Sequence, residues 1–177
     1  MSQKAKIDYG ISNCFDMYEK LKFEGKRLDS DWHEYNCFNF IVTAWHLYDD
    51  WLDNDRRCRP QLSIKKKNKI PATMTNVLNA IRDLTNGSKH MVLNKKSVNK
   101  QVVTEVHSPE IRDMRSFMTG EAKVGIKIDS TYYSMWDLRY ICLLYFAWVF
   151  DDNTPMNAFP PDLADHLDRL TQLSSQL

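Results

Sequence analysis

The stretch from about Asp31 to Asp53 combines a helical repeat with almost no ordinary solvent face, and no other part of the chain restricts the fold as much. Asn36, Asn39, Thr43, His46 and Asp50 recur at intervals of 3, 4, 3 and 4 residues. At about 100° per residue they fall within an arc of roughly 80° and line one face of a helix. Most other positions are large and apolar, among them Phe38, Phe40, Ile41, Trp45, Leu47, Trp51 and Leu52. A solvent face is normally built from Lys, Glu, Gln and Arg, whereas this stripe holds short hydrogen-bonding groups, one imidazole and one carboxylate. The expectation is a helix covered on all sides, with its polar stripe buried. Buried polar groups must be satisfied by each other, by neighbouring helices, or by a ligand and water in a cavity. The stripe therefore reads either as a structural network or as a pocket, with Asn36, Asn39, Thr43 and Asp50 as ligand-binding candidates and His46 as a catalytic one.

The remaining periodicities place this helix in a bundle. Ile11, Cys14, Phe15, Tyr18 and Leu21 predict a first amphipathic helix ending near Gly25. The second opens after Asp29 or Ser30, with Asp31 and Glu34 at capping-box spacing. Pro71 suits the first turn of a third helix, which carries Met74, Val77, Leu78, Ile81 and Leu84 on one face and ends at Asn86-Gly87. Alternating residues from Val98 to Val106 and from Val124 to Ile128 predict short strands. Ser134 with Asp137 opens a fourth helix, apolar almost all round and hence central, and a last amphipathic helix follows Pro160-Pro161. The fold expected is mainly α: one domain over 1–177, a bundle of about five helices with a small β-hairpin or short sheet between the third and fourth.

Composition narrows the setting. The N-terminus has no apolar leader core, and the longest apolar run, Tyr140 to Phe150, is about half the length of a bilayer span. No membrane association is expected. Cys14, Cys37, Cys58 and Cys142 are scattered and read as reduced core residues of a cytoplasmic protein. Net charge is +1, yet the window from Arg56 to Lys100 holds twelve basic residues, including Lys65, Lys66, Lys67, Arg82 and Lys89, against the single acid Asp83. That window is +11 and the rest of the chain −10. Such segregation is the footprint of a polyanion partner, RNA or another phosphate-bearing ligand, although a lysine-rich loop can also be simply solvated.

Two segments carry a resemblance. Thr43-Ala44-Trp45-His46, followed by Asn86-Gly87-Ser88-Lys89-His90, resembles a group of uncharacterised bacterial and prophage proteins with a Thr-Ala-Trp-His helix and an Asn-Gly-small-Lys-His turn. More remotely, Arg82 and Asp83 followed by His90 are similar to the motif of HEPN helical bundles. Many of these are metal-independent ribonucleases of phage-defence or toxin-antitoxin systems, in which Arg and His of a dimer converge on RNA. The resemblance implies Arg82 and His90 as catalytic residues and a homodimer. Such chemistry needs a base for the 2′-hydroxyl, an acid for the leaving oxygen and a cation near the phosphate. His90 or His46 with Arg82 or Lys89 would supply them, and Asn86 shares a helical line with Arg82.

No cofactor is expected and no metal: His46 and Asp50 form one i, i+4 pair, without a second pair to complete a site. His33 and His107 read as exposed. Two functions remain open: a polyanion-binding helical protein acting as a ribonuclease, or a non-catalytic module of prophage or defence origin that meets a protein partner and uses the stripe as a structural network.

Overall fold

A computed structural model describes residues 10–55, 70–89, 102–107, 125–153 and 158–174. The expected helices and a small sheet are present in the expected order: α1 (Cys14–Leu28), α2 (Glu34–His46), α3 (Ala72–Lys89), β1 (Val103–His107), β2 (Gly125–Ile128), β3 (Thr131–Ser134), α4 (Met135–Phe150) and α5 (Pro161–Ser174). The protein is a helical bundle with a three-stranded antiparallel sheet between α3 and α4, in the order β1-β2-β3.

Caps explain the helix starts. Asn13 accepts from the backbone N–H groups of Phe15 and Asp16 at the head of α1, and Asp16 reaches back to Ser12 N at 2.8 Å. Those hydrogen bonds from Ser12 hold the Asp16 carboxyl below its ordinary range. Ser134 and Asp137 form the expected capping box at the head of α4. At α2 the expectation is corrected. Its cap is His33, whose ring nitrogen accepts from Tyr35 N at 3.3 Å, while Asp31 lies before the helix and binds His33 N through its carboxylate. Nor does Gly87 end α3, which continues to Lys89; a side chain there would meet nothing, so no steric demand for a break exists.

One apolar cluster joins the five helices α1–α5. It includes Leu21, Phe40, Leu47, Val77, Ile81, Ile126, Leu163 and Leu167, and α4 crosses it with Leu138, Ile141, Cys142, Tyr145, Phe146 and Val149 all buried. Leucine-sized side chains gain about 1.5–3 kcal/mol each on burial, which accounts for α4 as the bundle's centre. No helix among the described residues is long and apolar enough to cross a membrane.

The sheet departs from expectation in two details. β3 was unforeseen: Asp129, at φ +54°, turns the chain so that Thr131–Ser134 pairs back onto β2 in the register Ile126↔Tyr133. His107, read as a loop residue, ends β1 opposite Gly125.

Candidate functional site

The polar stripe is half buried and half exposed. Asn36 and Thr43 are buried, His46 is intermediate, and Asn39 and Asp50 face outward. A uniformly buried stripe is therefore wrong, and for Asp50 the physical cause is visible. Beyond His46 the helix loosens into a π-helical turn over Leu47–Trp51, in which Leu52 N donates to Leu47 O, before a last helical turn at Leu52–Asn54. The i→i+5 step slows the rotation per residue and carries Asp50 off the line of the stripe. Its carboxylate accepts from Asn54 Nδ2 at 2.5 Å on the surface instead of partnering His46 inside.

The buried half is committed to architecture. Asn36 Nδ2 donates to the Asp31 carboxylate at 2.9 Å and to Asp31 O at 3.2 Å, which closes the turn before α2. Thr43 Oγ1 accepts from Lys20 Nζ of α1 at 2.5 Å, and the same ammonium pairs with Glu24 Oε1 at 3.2 Å. Glu24 is itself buried, and among the described residues its Oε2 has no hydrogen-bond partner. Lys20, Glu24 and Thr43 thus form a polar seam between α1 and α2, in which the lysine neutralises the carboxylate.

Arg82 is also occupied. Its Nε and one terminal nitrogen donate to Asp83 Oδ1 at 3.1 and 2.9 Å, and its other terminal nitrogen donates to Asn79 Oδ1 at 3.0 Å. Only 14% of the side chain is exposed. The opposite carboxylate oxygen of Asp83 accepts from Val102 N at 2.7 Å, tying α3 to the entry of β1. Asn86 is half-buried on the same helix, and Lys89 closes it. Lys65, Lys66, Lys67 and His90 lie outside the described residues, so of the expected Arg–His pair only Arg82 is placed.

A polar cluster joins α4 and α5. His166 Nε2 is 3.3 Å from Asp137 Oδ1, and its ring lies 4.8 Å from that of Tyr140. Arg169 approaches His166 Nδ1 at 3.2 Å. A guanidinium only donates, so Nδ1 is the acceptor in that contact, while Nε2 is buried and makes no hydrogen bond among the described residues. Beside the cluster is a cleft of about 630 Å³ lined by Tyr140, Asp162, Asp165, Asp168, Arg169 and Gln172. It lacks the order of a nucleophilic relay: Ser134 Oγ donates to Asp137, not to His166. The i, i+3 spacing of Asp162, Asp165 and Asp168 was legible, but the meeting of His166 with Asp137 depends on how α5 packs.

The cysteines require a second correction. Cys14 is disulfide-bonded, not reduced, and disulfides persist in oxidising compartments, so cysteine usage does not carry the cytoplasmic expectation. Cys37 and Cys142 are free and buried. Burial pushes their thiols up to about 11 and about 12, which leaves neither a reactive thiolate at neutral pH. Among the described residues no group of three or more His, Cys, Asp and Glu is arranged to hold a metal ion.

No protein-family model, curated protein or solved structure matches the chain.

Proposed function

We propose that this protein is a non-catalytic module that binds a polyanion, RNA or another phosphate-bearing ligand, through the basic stretch between Arg56 and Lys100. The segregation of charge along the chain, +11 in that window against −10 elsewhere, carries this reading. Phosphate neutralisation by Lys and Arg releases counterions and supplies most of the affinity of sequence-independent binding. The non-catalytic part rests on what the described polar groups already do. Arg82 neutralises Asp83, Thr43 holds Lys20 and Asn36 holds Asp31, so these groups serve the fold. The HEPN-like ribonuclease reading stands second, because the guanidinium it needs beside a phosphate is already held by a buried carboxylate.

The test is anisotropy of a labelled single-stranded RNA across a salt series, with the RNA then run on a denaturing gel. Binding should weaken steeply with salt, and changing Lys65, Lys66, Lys67 and Lys69 together to Gln should flatten the slope by roughly 0.7 for each phosphate that is no longer neutralised. Absence of binding even at low salt removes the polyanion reading. RNA cleavage that survives EDTA and disappears in His90→Ala replaces the non-catalytic reading with the ribonuclease one.

A further inference from the structure

Three large apolar side chains stand exposed where α2 and α4 begin: Tyr35, Phe38 and Trp136 are 74%, 45% and 51% exposed. Trp136 lies 5.7 Å from the ring of Trp32, with the Arg139 guanidinium 5.3 Å over its face. Phe38 forms the lip of a cavity of about 170 Å³ whose walls include Cys37, Leu84, Ile126 and Met135, and whose one charged lining residue among those described is Glu34. Isolated exposed apolar residues need no explanation, but a cluster of them beside an apolar cavity marks an interaction surface.

Size and charge narrow the occupant. An apolar cavity of about 150 Å³ accepts a benzene-sized group, so this one suits a single leucine or phenylalanine side chain. Arg139 is already committed: it donates to Gly25 O at 2.6 Å and pairs with Asp29 at 2.8 Å. At the mouth Glu34, which lines the cavity, is exposed. Its carboxylate repels phosphates and favours a cation.

We propose that this face docks a segment of a partner protein that presents one leucine- or phenylalanine-sized side chain flanked by lysine or arginine. The apolar side chain fills the cavity, the flanking cation pairs with Glu34, and Tyr35, Phe38 and Trp136 cover the contact from water. Aromatic anchors around a filled pocket are where interface energy concentrates. The proposal goes beyond polyanion binding and does not depend on it.

The experiment titrates the full chain, methyl-labelled, with a synthetic amphipathic helical peptide of leucine and lysine, and in parallel with its leucine-glutamate counterpart. The lysine peptide should shift the Met135 methyl resonance, whereas the glutamate peptide should not. Phe38→Ser and Tyr35→Ser, both at exposed positions, should each weaken the lysine peptide by about tenfold. Glu34→Lys should weaken it similarly and admit the glutamate peptide. The proposal is overturned by lysine-peptide binding that these variants leave unchanged, by shifts confined to the Asp162–Asp165–Asp168 cleft, or by no binding at all. A dimer that shields Met135 without peptide, or single-stranded RNA that shifts Met135, would equally replace it.

Discussion

Asp83 Oδ2 accepts the backbone N–H of Val102 at 2.7 Å, joining a helix to the entry of the sheet across 19 residues of sequence. The same carboxylate carries Arg82 on its other oxygen and is itself only 4% exposed. A buried carboxylate survives because a cation and backbone donors satisfy it together.

Removing that carboxylate should be among the most damaging single changes in the protein. Asp83→Ala strands the Arg82 guanidinium and the Val102 N–H at once, and a broken buried pair costs about 3–5 kcal/mol. Asp83→Asn keeps an acceptor for Val102 and should cost less. Urea unfolding followed by circular dichroism measures both. If Asp83→Ala melts like wild type, Arg82 is not held as described and becomes available to a ligand.

The stripe on α2 should divide by position. Asp50→Ala alters an exposed group bonded to a neighbouring surface side chain and should change stability by no more than about 0.5 kcal/mol. Thr43→Val keeps the shape but removes the acceptor for Lys20, beside a buried Glu24, and should cost about 1–3 kcal/mol. Equal melting temperatures for the two variants would contradict the buried seam between α1 and α2.

Gly125 should resist a single methyl group. A Cβ at this position would overlap the Tyr132 hydroxyl oxygen and ring, so the ring must swing away. Its backbone is not in the left-handed region, so the effect is steric. Gly125→Ala should destabilise by about 1–3 kcal/mol despite the usual gain of alanine over glycine in a strand. In a double-mutant cycle, Tyr132→Ala should remove most of that penalty. Additive effects of the two changes would mean the ring does not press on Gly125.

Periodicity carried most of the architecture, and tertiary contact decided the rest. The five described helices follow from apolar residues three and four apart, and the Ser134–Asp137 box from local hydrogen-bonding rules. The π-turn at Leu47–Trp51 escaped because a shift from i→i+4 to i→i+5 bonding leaves no mark in residue type. β3 escaped because four residues, Thr131-Tyr132-Tyr133-Ser134, merge into the run that opens α4. Arg82 was legible as a cation but not as a committed one. Asp83 stands next to it in sequence, yet only the approach of Val102 shows why that carboxylate is buried and holds the guanidinium. The Cys14 disulfide likewise depends on distance in space, which scattered cysteines do not reveal.

The two free thiols among the described residues predict an alkaline limit to stability. Cys142 is fully buried and Cys37 nearly so, and burial raises both above the ordinary 9.0, to about 12 and about 11. For Cys37 the Glu34 and Asp31 carboxylates add to the effect. A group that ionises less readily when folded makes the native state hold more protons than the unfolded chain at high pH, so unfolding becomes more favourable as pH rises. The contribution is fully present below about pH 9 and is lost as pH climbs through about 11 and 12. Tyr48, Tyr133 and Tyr145 are raised by burial as well and act with the same sign. The urea midpoint should therefore hold steady between about pH 7 and 8.5 and fall by about pH 10.5, with Cys37→Ala showing a shallower fall. At about pH 8, a thiol reagent should label the native protein far more slowly than the unfolded chain, where a free cysteine is already partly ionised. A midpoint that rises with pH, or native labelling as fast as in denaturant, would show that these thiols are not buried as the structure has them.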